Sequence, residues 1–192
     1  MGLRSDHVLD VVVRPVLARL EAEAGVPRTV AAEQLVLGTL VHEGAGLSCL
    51  RQLARRDGRR GPGVGLGQME PATHEDHWRT YLAYRPRIAR VVASLSTVDE
   101  EALHEILVHQ GPEFVRLWKF LPPAAEMGPN LAYAAAMVRV HYRRVSAPLP
   151  EAGDVEALAV YWDVHYNRNP REGFPGEFIE SWTGAGLGGL WP

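Results

Sequence analysis

Cysteine is nearly absent. Cys49 stands alone among 192 residues, so no intrachain disulfide can form and the fold must rest on packing. Charge of one sign is lacking as well. The net charge is −3, which leaves no global basic field to hold nucleic acid or an anionic membrane. Long apolar runs are missing, because Asp10, Arg14 and Pro15 interrupt the stretch from Val8 to Leu20. Neither a signal peptide nor a membrane-spanning helix is therefore expected. Metal motifs are incomplete: His42-Glu43 lacks the second histidine of a His-Glu-x-x-His pattern, and His74 and His77 share a helical face without a third ligand. The His104 and His109 pair does not share a face. The glycine-rich stretch lacks a Gly-Lys-Ser/Thr ending, which argues against nucleotide phosphates. Cys49 has no His/Asn setting and reads as an inert thiol. No metal and no cofactor are expected.

What is present is helix. With 46% hydrophobic residues, the chain can bury the core of a single, mainly α domain. Ser5 or Asp6 can cap a first helix carrying Val8, Leu9, Val12, Val13, Val16, Leu17 and Leu20 and ending near Gly25-Val26-Pro27. Thr29 can cap a second, apolar one that ends at Glu43-Gly44. A short helix is expected over 48–56. Residues 57–67 hold five glycines and read as a glycine-rich loop or small β-turn. Pro71 and Pro86 start further helices, and Thr97 with Glu100 forms a capping box. Asn130 to Arg144, Asp154 to Asn167 and Pro175 to Trp182 complete the helical set. The glycine-rich tail, residues 183–192, is expected to be mobile.

Glu43 is the leading chemical candidate. A carboxylate at a helix C-terminus is unfavourable against the helix dipole, and apolar surroundings would keep it protonated near neutral pH. That is what general acid cleavage of an acetal requires. Gln68 carries both donor and acceptor atoms suited to sugar hydroxyl or acetamido groups. A second carboxylate could come from Asp57, Glu70, Glu75 or Asp76, and spacing selects none of them. Glu70 equally suits a salt bridge to the nearby arginines Arg51, Arg55, Arg56, Arg59 and Arg60. That basic cluster reads either as a solvated face or as an attraction for an anionic wall. Asn130 reads as a helix cap as readily as a cleft residue. Trp78 and Trp162 could stack on sugar rings or pack in the core.

Together these pieces resemble the lysozyme-like superfamily, in particular its lytic transglycosylases and their phage relatives. Glu43 at a helix end, Gly65-Leu66-Gly67-Gln68-Met69-Glu70-Pro71-Ala72-Thr73, Asn130-Leu131-Ala132-Tyr133 and Leu158-Ala159-Val160-Tyr161-Trp162 follow in that family's order. The likeness spans roughly residues 30 to 180. Three positions depart from it: Gly44 replaces Ser, Gly67 replaces Met and Trp162 replaces Asn.

The resemblance implies a lysozyme-like domain over residues 1–182, with an N-terminal helix (1–27) and a catalytic core (28–182). It implies Glu43 as the catalytic acid and Gln68, Tyr161, Glu70, Asn130, Met69 and Trp78 as the substrate-binding set, with the Tyr161 hydroxyl facing the cleft near Glu43. The expected substrate is the glycan strand of peptidoglycan, cleaved at the MurNAc–GlcNAc β-1,4 bond to a 1,6-anhydro product. A hydrolytic muramidase used as an endolysin, and a phage virion structural or wall-binding protein with weak or no activity, are the alternatives. Phage virion proteins are the second expected partner. Without an export signal, the chain would be made in the host cytoplasm and reach the wall by virion injection or a holin-like pore.

Overall fold

A computed structural model describes residues 3–52, 61–109, 121–167 and 174–191. The chain is mainly helical. α1 (Ser5–Val8) passes through a π-helical turn (Leu9–Val13) into α2 (Arg14–Ala24). The wide turn immediately precedes Pro15, whose ring would collide with the carbonyl four residues earlier in a regular helix. A near-continuous helix thus passes the proline, and Gly25, at φ 67°, ends it in the left-handed conformation.

α3 (Val30–Glu43) is the central element. Every residue from Ala31 to Val41 is buried, as expected of a helix that is apolar on all sides. Thr29 caps it, its hydroxyl accepting from the Ala32 amide at 3.1 Å. α4 (Pro71–Thr80) and α5 (Pro86–Ser94) each begin on proline, where the missing N–H costs nothing. α6 (Glu100–Val108) is capped by Asp99, which accepts from the Ala102 amide at 2.7 Å. Thr97 does not form the expected capping box. Its amide and hydroxyl donate instead to Glu126, at 2.6 and 3.0 Å.

α7 (Leu131–Arg143) is the second buried helix, with Tyr133 through Tyr142 inside. α8 (Val155–His165) is capped by Asp154 and α9 (Pro175–Gly184) starts on proline. α3 packs against α7, α8 and α9, and α2 packs against α5 and α7. α9 comes close to α3 at Gly38, where a Cβ would stand 2.5 Å from the Phe178 ring. No described helix is long and apolar enough to cross a membrane.

Two expectations are corrected. Residues 48–52 form turns and a β-bridge rather than the start of a helix; 53–56 lie outside the described residues. The tail folds back instead of trailing away. Leu187 is fully buried, the Trp191 ring stacks on Trp182 at 5.9 Å, and its indole N–H donates to Glu33 at 3.0 Å. Glu33 is also held by Arg28 and Arg14, at 2.6 and 3.2 Å. Burial acts to raise its pKa, but bonds from Trp191, Arg28 and Arg14 outweigh it and the net direction is down. The indole supplies apolar area and a donor that this buried carboxylate can use, which glycine content alone does not reveal.

Candidate active site

The carboxyl of Glu43 sits at the last residue of α3, where the chain turns sharply. The Gly44 amide bonds the Leu40 carbonyl, and the Gly46 amide bonds Val41 at 2.8 Å. Gly44 has no room for a side chain. A Cβ there would lie 2.5 Å from the Leu40 carbonyl oxygen and 3.0 Å from a Leu66 methyl.

Leu66 belongs to a small hairpin. Val64 and Met69 exchange backbone bonds at 3.1 and 3.2 Å around Gly65-Leu66-Gly67-Gln68, and Val64 also bridges Arg51. Gly65, at φ 72°, passes so close to the Met127 carbonyl that a Cβ would meet it at 2.4 Å. The Gly-Leu-x-Gln segment is thus a turn pressed onto the end of α3 through Leu66.

Trp162 supplies the direct contact to the acid. Its indole N–H donates to Glu43 Oε1 at 3.1 Å, while its ring meets His42 edge-on at 4.4 Å and stacks on Phe178 at 5.5 Å. Burial raises the Glu43 pKa to about 7, against the pull of the Trp162 bond. Tyr142 and Tyr166 stand close enough for the carboxylate to raise their own pKa values, after the larger effect of burial. Their hydroxyls bond elsewhere. Thr39 donates to the Leu35 carbonyl at 2.7 Å, so the Tyr142 hydroxyl donates to Thr39, also at 2.7 Å. Tyr166 donates to the Gly67 carbonyl at 2.6 Å. Among the described residues the acid therefore has one donor, the Trp162 indole.

The other sequence candidates separate. Gln68, at φ 44°, bends back so that its amide donates to the carbonyls of Gly65 and Cys49 at 2.7 and 3.2 Å. Its Oε1 is buried without an acceptor's usual partner. Tyr161 does not face Glu43. Its hydroxyl donates to the Ala147 carbonyl at 3.0 Å and borders a different cavity. Adjacent helical residues diverge by about 100°, so Trp162, spaced by four from Leu158 and Tyr166, takes the inward face. That i, i+4 apolar spacing was the available signal for the site contacts that the motif alignment missed.

Asn130 is a cap and a strut. Its Oδ1 accepts from the Tyr133 amide at 3.0 Å, and its Nδ2 donates to Leu95 and Glu126 at 2.8 and 2.9 Å. Met69 and Trp78 lie in the core, and the Trp78 indole donates to the Tyr133 hydroxyl at 3.0 Å. A ring buried on that scale cannot serve as a platform for a sugar. Glu70 is exposed at the N-terminus of α4.

Among the other acids weighed as a second carboxylate, Glu75 pairs with Arg79 at 3.2 Å and Asp76 with Arg144 at 2.7 Å. Asp57, Arg55, Arg56, Arg59 and Arg60 lie outside the described residues. Arg51 is exposed beside the hairpin. His74 bonds the Tyr133 hydroxyl at 2.6 Å and His77 bonds His141 at 3.0 Å. Among the described residues, no group of three or more His, Cys, Asp or Glu side chains could hold a metal ion.

No family model, no curated protein and no solved structure matches this chain. The lysozyme-like reading consequently rests on the order of the sequence elements and on the surroundings of Glu43.

Proposed function

We propose that the chain is a peptidoglycan lytic transglycosylase on a lysozyme-like fold, with Glu43 as acid and then base. The observation that carries this reading is the Glu43 carboxyl itself, placed at a helix end with its pKa raised to about 7 by burial. A group with that pKa is partly protonated at neutral pH and can serve both halves of the reaction. Glu43 would protonate the glycosidic oxygen as the C1–O bond breaks and the sugar takes on oxocarbenium character. The muramic acid 6-hydroxyl would then attack C1, its proton passing to the Glu43 carboxylate, to close the 1,6-anhydro ring. An intramolecular nucleophile carries its own positional advantage, so one carboxylate suffices.

Glu75 and Asp76, two of the four acids weighed as a second carboxylate, are engaged with arginines, which supports a route that needs only one. The hairpin packed on the end of α3 beside Glu43 supports this reading as one side of a cleft. A chain of this kind would act at the cell wall, delivered by a phage virion or through a lysis pore.

One observation favours a second reading, a wall-binding or virion component with weak or no turnover. The four cavities bordered by Ser181, Arg139, His77 and Val160 are not lined by Glu43. Mass spectrometry of peptidoglycan digested by wild type and by Glu43→Gln separates the possibilities. Anhydro-muropeptides that depend on Glu43 are expected. Reducing-end products would instead establish a muramidase, and absence of products across wall types and pH would leave the binding role.

A further inference from the structure

Arg139, on α7, is a buried cation without a balancing charge among the described residues. It is 4% exposed, yet no carboxylate pairs with it among the described residues. Its one hydrogen bond among the described residues runs from Nη2 to the Pro27 carbonyl at 3.1 Å, and its Nε is buried with no acceptor there. Guanidinium stays protonated in proteins, and a buried cation without a partner is costly. Burial, followed by the like charge of Arg143, lowers the Arg139 pKa from its ordinary value. Folding has placed a cation where nothing in the described chain neutralises it.

That cation borders a cavity of about 560 Å³, a volume in the range of small-molecule sites. Arg143, one turn further along α7, borders it too, and no acidic residue lines it. The remaining walls are largely aliphatic, among them Val30, Val145 and Leu149, and Pro148 and Pro150 contribute no N–H. The Tyr161 hydroxyl on the rim is already committed to Ala147. Such a lining suits a ligand with one anionic end and an apolar body. A phosphate brings no apolar body to match the aliphatic walls.

We propose that this cavity binds a small organic carboxylate. The carboxylate accepts from the Arg139 guanidinium, using the N–H groups that Pro27 leaves open. Arg143 adds long-range attraction, and the aliphatic body lies against Val30, Val145 and Leu149. The site is separate from Glu43, because α8 turns Tyr161 toward this cavity and Trp162 toward the acid.

The test is NMR titration of the full chain with N-acetyl-L-alanine and with N-acetyl-D-alanine, using inorganic phosphate as the comparison anion. Saturable binding of at least one acetylalanine is expected, with a shift of the Arg139 Nε–H resonance. Arg139→Met should retain or raise the Tm, since it replaces an unpaired buried charge by apolar volume. It should weaken binding by about 10- to 100-fold, the scale of a lost charge-assisted bond. Arg139→Lys keeps the charge without the fork and should fall between. Binding unchanged by Arg139→Met, or no saturation at millimolar carboxylate, would overturn the site. Phosphate binding as tight as either carboxylate would overturn the ligand class. Should Arg139→Met fail to fold, an unmoved Nε–H resonance in the wild type is itself enough to refute the proposal. Turnover is not read at any point, so failure here leaves the role of Glu43 untouched.

Discussion

Replacing Glu43 by glutamine should stabilise the protein, and by an amount that depends on pH. An ordinary glutamate titrates near 4.5, whereas folding raises Glu43 to about 7. Between those values the folded state binds more protons than the unfolded chain, so stability falls as pH rises through this window. Linkage puts the cost of Glu43 at about 1 kcal/mol at pH 5 and about 3 kcal/mol at pH 8. Glutamine is uncharged at both, keeps an oxygen to accept from Trp162, and removes a negative charge from the helix C-terminus. Urea unfolding of both proteins at pH 5 and pH 8 measures the difference. Other titrating groups are shared by the pair and cancel. Glu43→Gln should be more stable by about 2 kcal/mol more at pH 8 than at pH 5. An equal difference at the two pH values, or a less stable variant at pH 8, would show that burial does not hold the carboxyl protonated.

The neighbours of Glu43 and the buried histidine give three further expectations. Trp162→Phe removes the donor that pulls the Glu43 pKa down, so a carbon-13 titration of that carboxyl should show a midpoint above the wild-type value; a lower midpoint would contradict the role of the indole. Gly67→Ala pushes a Cβ to 2.7 Å from Val138 and 2.8 Å from the Tyr166 hydroxyl, and should cost about 1–3 kcal/mol in denaturant unfolding, whereas Gly176→Ala meets nothing within 4 Å and serves as the control for overpacking. His74 is buried and its pKa is lowered to about 4 by desolvation, so it binds fewer protons folded than unfolded between that value and 6.5. The His74 contribution to stability should fall by about 2–3 kcal/mol as pH drops from 7 to 4.5, and the stability of His74→Gln relative to wild type should rise by that amount over the same range.

Local patterns carried most of the helical architecture. Thr29, Asn130 and Asp154 each sit at a boundary where the side chain can reach an amide two or three residues on, and each does so. Pro71, Pro86 and Pro175 mark helix starts for an equally local reason. What failed depended on tertiary partners. Thr97 was drawn away from its helix by Glu126, a residue far along the chain. The tail order comes from Trp191 finding both Trp182 and Glu33. At the site, Glu43 could be singled out from its helix end, but its partner could not. Motif alignment pointed to Tyr161, and only the rotation of α8 against α3 decides that Trp162 faces the acid instead.

Gly44, Gly67 and Trp162 have a common physical role around Glu43. Gly44 leaves the space that Leu66 fills, so the hairpin closes on the end of α3. Gly67 leaves the space beside Val138 and the Tyr166 hydroxyl, and its carbonyl is the acceptor for that hydroxyl. Trp162 carries the donor that reaches Glu43. Each of the three residues allows close packing around one carboxyl. Closer packing lowers the local dielectric, which raises the pKa of an acid, while one retained donor limits how far it rises. The small residues on α3 and the hairpin and the large one on α8 are therefore parts of a single arrangement. Adding bulk at Gly44 or Gly67 alone would push on Leu66 or on the Tyr166 hydroxyl and so open the wall of that arrangement.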